Sequence, residues 1–303
     1  MIKKKIALIG IGHWGKVHLK YLKKNKSILL EKIFYQSKKP KQISKKLLSD
    51  DINEIKNEKD IDFIDIVTPI STHSSILIYF IKTKNNILVE KPLLMNRKEE
   101  NIIQKFINKK KRIIVSYPYQ YSQSLKFAKK NIQNKTFGRL LYIEITIQQC
   151  GRFLEYNVNQ LLGPHALSIV DIFLNINKLD ISIDNIIKTK NISESSVFTC
   201  KKNQSILAKI NLSLNYANIQ NEKIIKFFLD KGTIIVDLNN PKHTYKSYKY
   251  IRKNNLGKIK ENKKKYFNEY DNMKFVIEEF VNNKKLNIKK NFNLTKIINK
   301  IIK

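Results

Sequence analysis

Through the first third of the chain, short apolar runs alternate with amphipathic stretches, a rhythm that predicts βαβ units around a parallel sheet. Lys5–Ile9 reads as a strand, His13–Lys24 as a helix and Ile28–Tyr35 as a second strand. A lysine-rich helix or loop follows, and then Phe63–Val67 as a further central strand. The helix Ser74–Lys82, strand Ile87–Val89, helix Asn96–Asn108 and strand Arg112–Ser116 complete the unit. Unbroken Ile, Val and Leu runs suit strands buried on both faces.

Beyond Tyr117 the pattern changes. A helix over Ser124–Ile132 precedes a long alternating strand, Leu140–Gln149, and a helix over Pro164–Leu174. Strands then follow in succession: Ile181–Thr189, Ser196–Cys200, Ile206–Leu214, Lys223–Leu229 and Thr233–Asp237, the last two joined by a turn at Asp230-Lys231-Gly232. Many strands with few helices predict an α+β unit with an open, mainly antiparallel sheet and helices on one face. Lys246–Lys265 is polar and weakly patterned and reads as a loop region, while Tyr270–Val281 and Leu294–Ile302 read as closing helices. No internal repeat is visible. The division expected is 1–118 for the α/β domain and 119–303 for the α+β domain.

Composition changes this picture little. The 303 residues suffice for two domains, and 42% hydrophobic residues fit a globular chain. The net charge of +34 invites a nucleic-acid reading. Lysine supplies nearly all of it, however, spread along the whole length and accompanied by abundant Ile and Asn. That is the mark of A/T-rich coding, so no specific nucleic-acid partner is expected. Anionic small molecules would still be attracted in a salt-dependent way. The cysteines, Cys150 and Cys200, have no metal or redox spacing and read as reduced thiols. The opening MIKKKIALIGIG mimics a signal peptide but fits a buried first strand better, and no run is long enough to span a membrane. The expectation is a cytoplasmic protein.

The strongest local signal is Gly10-Ile11-Gly12-His13-Trp14-Gly15, a G-x-G-x-x-G between a predicted strand and a predicted helix. Gly10 permits the tight turn, Gly12 lets the backbone approach a pyrophosphate, and Gly15 lets helix pack on strand. The helix start offers N–H groups and a positive dipole to phosphates. These features predict a Rossmann domain holding NAD or NADP. The acidic residue expected after the second strand is absent from Tyr35-Gln36-Ser37-Lys38-Lys39. Ser37 and Lys38 lean the preference slightly toward NADP.

Further along stand Val67-Thr68-Pro69 with Thr72-His73, and Val89-Glu90-Lys91-Pro92. With these the sequence resembles the Gfo/Idh/MocA oxidoreductases, which carry a glycine fingerprint, a TP…H segment and an EKP motif. The resemblance extends to Tyr117–Tyr121, Phe137–Ile143, Cys150-Gly151-Arg152, Asn157-Val158, Gly163–Ser168 and Phe228–Thr233. It implies that Thr68, Pro69, His73, Glu90, Lys91 and Pro92 border the nicotinamide, with a cis bond before Pro92. It further implies that Lys91 and His165 are catalytic, that Tyr121, Arg152 and Asn157 contact substrate beside them, and that subunits pair as dimers or tetramers. An ammonium aimed at a carbonyl stabilises a developing alkoxide, and an imidazole can accept a hydroxyl proton. Of the remaining histidines, His13 belongs to the fingerprint, and His13, His18 and His243 read as structural or exposed.

One departure matters. Many relatives place an acid shortly before or immediately after this histidine, where this chain has Leu161 and Ala166. Asp171 lies further along the same helix. The expected function is hydride transfer to or from a secondary alcohol or ketone of a sugar, nucleotide sugar or cyclitol. The alternative is a catalytically impaired homologue that binds cofactor in a regulatory role.

Overall fold

A computed structural model describes all residues except 1–2, 37–39, 42, 152–154, 190–191, 219, 240–241, 254–255, 269–271, 283–286 and 303. The chain divides into two compact units. The first comprises Met1–Ser116 with Met273–Lys300, the second Tyr117–Asn272 with Ile301–Lys303.

The first unit holds strands β1 (Lys4–Ile9), β2 (Ile28–Phe34), β3 (Leu48–Ser49), β4 (Phe63–Ile66), β5 (Asn86–Val89) and β6 (Ile113–Val115). They form one parallel sheet in the order 3-2-1-4-5-6, the order of a dinucleotide-binding domain. Its helices before the crossover are α1 (His13–Lys24), α2 (Ile52–Asn57), α3 (His73–Phe80) and α4 (Arg97–Asn108). Strand β4 is buried from end to end and β1 from Ile6 to Ile9, as their apolar runs predict.

The second unit contains α5 (Gln123–Gln133), β7 (Leu140–Gln148), α6 (Val158–Leu161) and α7 (Gly163–Phe173). These are followed by β8 (Asp180–Thr189), β9 (Ile192–Lys202), β10 (Ser205–Ser213), β11 (Glu222–Leu229) and β12 (Gly232–Asp237). Two further strands, β13 (His243–Lys253) and β14 (Leu256–Phe267), complete an eight-stranded sheet in the order 14-13-12-11-7-10-9-8. Strands β7 and β10 pair parallel, and the other neighbours pair antiparallel. Register aligns Phe198, Ile210, Ile145, Ile225, Val236 and Tyr245 in one buried row across six strands. Helices α5, α6 and α7 cover this face. The opposite face is half-buried and carries the Lys226–Glu144 ion pair at 3.2 Å.

The structure corrects two expectations. Lys246–Lys265, read as a loop, is most of the β13–β14 hairpin. Lysines hide the alternation that places His243, Tyr245 and Ser247 inward, and exposed β14 is held by its backbone ladder. The second difference concerns the closing helices α8 (Met273–Asn282) and α9 (Ile288–Ile302), which the division at 118/119 leaves in the α+β domain. Met273–Lys300 packs with the parallel sheet instead. The Asn291 amide donates to the Val115 carbonyl at 3.0 Å and accepts from its N–H at 2.9 Å. Asn299 clasps Met95 in the same way, at 3.0 and 3.1 Å. Phe280 meets Phe63 edge to face at 5.1 Å.

Candidate active site

The glycine turn takes the form its spacing predicts. Gly10 has φ +101°, and a Cβ there would lie 2.6 Å from the Val67 carbonyl oxygen. A Cβ on Gly15 would sit 2.3 Å from the Gly10 oxygen, so both glycines are demanded by the fold itself. Gly12 differs: its φ is −67°, and an added Cβ meets nothing within 4 Å. Nothing among the described residues requires glycine at 12, which suits a position kept bare for a ligand's approach.

The two longest helices of the first unit before the crossover make the same point by contrast. The start of α4 is closed by a capping box, Asn96 with Glu99. The start of α1 has Gly12 as its cap, no side-chain cap and no acid in its first turn. That leaves N–H groups and the positive helix end to an anion, so the turn fits the pyrophosphate of NAD(P). His13 and Trp14 are exposed there, their rings 5.6 Å apart edge to face. Ser37 and Lys38, which would choose between NAD and NADP, lie outside the described residues.

Beside this turn, at the carboxyl ends of β4 and β5, stand the other two motifs. Thr68 and Pro69 follow β4, and the Thr68 hydroxyl accepts from the Thr72 hydroxyl at 2.8 Å. Glu90, Lys91 and Pro92 follow β5, with the Lys91–Pro92 peptide cis. His73, buried at the start of α3, ties the segments together, with Nδ1 2.9 Å from the Pro92 oxygen and Nε2 2.8 Å from the Thr68 oxygen. Burial pulls its pKa down despite these carbonyls. The neutral ring then donates to one of the two.

Lys91 is half-buried, whereas Glu90 is turned inward. One Glu90 oxygen accepts from the Lys91 backbone N–H at 3.1 Å, and Ser116 also bonds this carboxylate. The other oxygen accepts from His18 Nε2 at 3.2 Å, while His18 Nδ1 lies 2.8 Å from Asp65 Oδ2. His18 and Asp65 belong to none of the sequence motifs. A signal did exist, since Asp65 is a lone carboxylate inside the apolar strand FIDI.

In the second unit, His165 occupies the first turn of α7, directly after Pro164, and is half-buried. Its ring meets Tyr119 edge to face at 5.2 Å. Tyr121 ends the short helical turn Pro118–Tyr121, with the Lys126 ammonium 5.8 Å from its ring centre. Asn157 caps α6, its side-chain oxygen accepting from the Gln160 N–H at 2.9 Å. Asp171 accepts from the Gln120 amide at 3.4 Å. Arg152 lies outside the described residues. Each unit thus gathers its own candidates, the glycine turn with Thr68–His73 and Glu90–Pro92 in one, and His165 with Tyr119 in the other.

Among the described residues there is no cluster of His, Cys, Asp or Glu suited to a metal, and no helix long and apolar enough to cross a membrane. Cys150 is exposed, and burial pushes the Cys200 thiol up to about 12.

Comparison with known proteins agrees with this geometry. Residues 4–119 match the oxidoreductase family with an NAD-binding Rossmann fold, Gfo/Idh/MocA. No curated protein matches the chain. Among solved structures, a UDP-N-acetylglucosamine 3-dehydrogenase from Acidithiobacillus ferrooxidans is similar at 15% identity and TM-score 0.77, covering 99% of this chain and 97% of that one. A 3-ketoreductase from Actinomadura kijaniata, solved with TDP-benzene and NADP, gives 10% identity and TM-score 0.79, with 99% and 96% covered. A myo-inositol 2-dehydrogenase from Lactobacillus plantarum gives 17% and 0.75, with 98% and 95% covered. At these identities the likeness is one of fold.

Proposed function

We propose, from the match of residues 4–119 to the Gfo/Idh/MocA oxidoreductase family, that the chain is an NAD(P)-dependent dehydrogenase or reductase. Its substrate would be a secondary alcohol or ketone on a sugar, nucleotide sugar or related cyclitol. The observation that carries this reading is the grouping of three motifs along the carboxyl ends of β1, β4 and β5, where an open parallel sheet binds its ligands. The chemistry named for the three similar structures is of the same class, which supports the substrate type.

The nicotinamide supplies hydride chemistry when bound. The chain's own residues do the rest. Gly10, Gly12 and Gly15 shape the turn, and the α1 N–H groups with His13 and Trp14 hold the dinucleotide. Ser37 and Lys38 would favour NADP by pairing with its 2′-phosphate. Thr68, Pro69, His73, Glu90 and Pro92 form the wall beside the ring, and Lys91 steadies negative charge on the substrate oxygen and shares the handling of its proton with His165. His165 exchanges the hydroxyl proton, while Tyr121, Arg152 and Asn157 orient substrate. We further propose that the protein works in the cytoplasm as a dimer or tetramer built through the half-buried sheet face. A strict monomer in light scattering would contradict the assembly.

A second reading is favoured by Leu161 and Ala166, apolar where an acid could assist His165: a homologue that binds cofactor without turnover. One experiment separates the two. Nicotinamide fluorescence is titrated with NADH and NADPH at physiological salt, with Gly12→Val as control, and a sugar panel follows with wild type and Lys91→Ala. Saturable binding lost in Gly12→Val, with turnover lost in Lys91→Ala, is the expected outcome. Binding without turnover on any sugar supports the second reading, and no binding defeats both.

A further inference from the structure

Within the first unit lies a charged cluster that hydride transfer does not by itself require. His18 is wholly buried in the second turn of α1, Asp65 sits in mid-β4, and Glu90 directly follows β5; the two carboxylates are 1% and 6% exposed. Carboxylate oxygens face both ring nitrogens, at 2.8 and 3.2 Å. Two carboxylates, unlike the uncharged carbonyls around His73, favour a ring with both nitrogens donating, an imidazolium. Among the described residues the second Asp65 oxygen has no hydrogen-bond partner, and His18 is the cation facing this buried carboxylate.

We propose that His18 is a positioning residue for Lys91: it keeps Glu90 ionised, and Glu90 in turn holds the Lys91 backbone and sets how readily its ammonium releases a proton. The consequence for turnover rests on Lys91 being the proton-handling residue. The groups facing this cluster are Asp65 from β4, Lys91 beside Glu90, His73 from α3 and the Ser116 hydroxyl after β6. Burial opposes charge on Glu90, yet its pKa is lowered, because the His18 hydrogen bond and charge, with the Lys91 charge and the Ser116 hydrogen bond, together outweigh that burial. Without His18, Glu90 takes up a proton, and Lys91 loses the anion that favours its charged form.

Two measurements on the full chain test this without any substrate. The first is nitrogen NMR of the histidine rings, tractable with five histidines. His18 should keep both ring protons at pH 8.5, where an ordinary imidazole is neutral. The second is the acetylation rate of Lys91, read on its own peptide by mass spectrometry against exposed Lys84. In His18→Gln the Lys91 rate at pH 8 should rise about tenfold, the equivalent of one pKa unit. Glu90→Gln, which removes the same charge from the other end, should raise it equally, and the double variant no further. A singly protonated His18 in wild type overturns the proposal. So does an unchanged Lys91 rate in either variant that still binds NADH. Because labelling needs no turnover, failure of the whole sugar panel would defeat the catalytic reading of Lys91 while leaving its coupling to His18 separately decided.

Discussion

Lys91 and His165 are the two proton-handling candidates, and their surroundings are built on different principles. Around Lys91 the protein has invested buried charge: Glu90, His18 and Asp65 inside, with His73 stapling the neighbouring segments. Around His165 it has used shape, a helix start and an edge-to-face aromatic ring, with Leu161 and Ala166 nearby in sequence. The difference teaches where variation is tolerated. Buried ions make one arrangement compulsory, because any lost member strands the others. A half-buried histidine on a helix start can be retuned by its neighbours at little structural cost.

The sharpest way to break this contrast is turnover. Lys91→Ala should lower the rate on whichever sugar the panel identifies by roughly 10²–10⁴-fold, the usual worth of acid–base catalysis, while NADH titration stays close to wild type. Equal loss of NADH binding would mean that Lys91 merely supports the cofactor site. Next comes stability. His18→Leu should cost about 3–5 kcal/mol in urea unfolding, since it leaves two buried carboxylates without their cation. His165→Ala, at a half-buried position, should cost no more than about 1 kcal/mol. Similar losses for both would erase the distinction.

The pH dependence of stability sharpens it further. His18 is pushed up to about 10 from 6.5, because Asp65's charge and hydrogen bond, with Glu90's, outweigh burial. A raised pKa contributes stability that is complete below 6.5 and lost as pH rises through about 10. The Glu90 contribution, from a lowered pKa, is complete above 4.5 and lost in acid. Wild type should therefore lose stability from pH 7 to 10 relative to His18→Gln, which has no ring to titrate; parallel unfolding curves would argue against a buried imidazolium. The smallest effect expected is at the α9 clasp. Asn291→Ala should cost about 1–3 kcal/mol by leaving the Val115 backbone groups unsatisfied, measurable by urea titration.

Much of this was legible in the sequence where periodicity and special residues coincide. The first-domain strands and α1 are set by apolar runs and by glycines that the chain's own backbone requires at 10 and 15. The turn at Asp230-Lys231-Gly232 also joins its strands as read. The β13–β14 hairpin was hidden because lysine, common everywhere, blurs a two-residue alternation. The destination of α8 and α9 was hidden because amphipathicity reveals a helix but not which sheet it meets. Asn291 and Asn299, eight residues apart on α9, are the particular groups that settle it. His18 reads as structural or exposed from sequence alone, since its two partners lie 47 and 72 residues away. Only the fold brings them together.

The lysines dismissed as compositional acquire a use in β14. This strand is one margin of the eight-stranded sheet, where unpaired backbone groups could recruit another chain. Lys258, Lys260 and Lys264 are exposed there, while Lys263 and Lys265 turn their ammoniums over the Phe127 ring. A second strand of this kind could approach only by stacking ammonium upon ammonium. What base composition wrote indiscriminately thus lines this margin with like charge, which opposes its pairing with a second strand of the same kind.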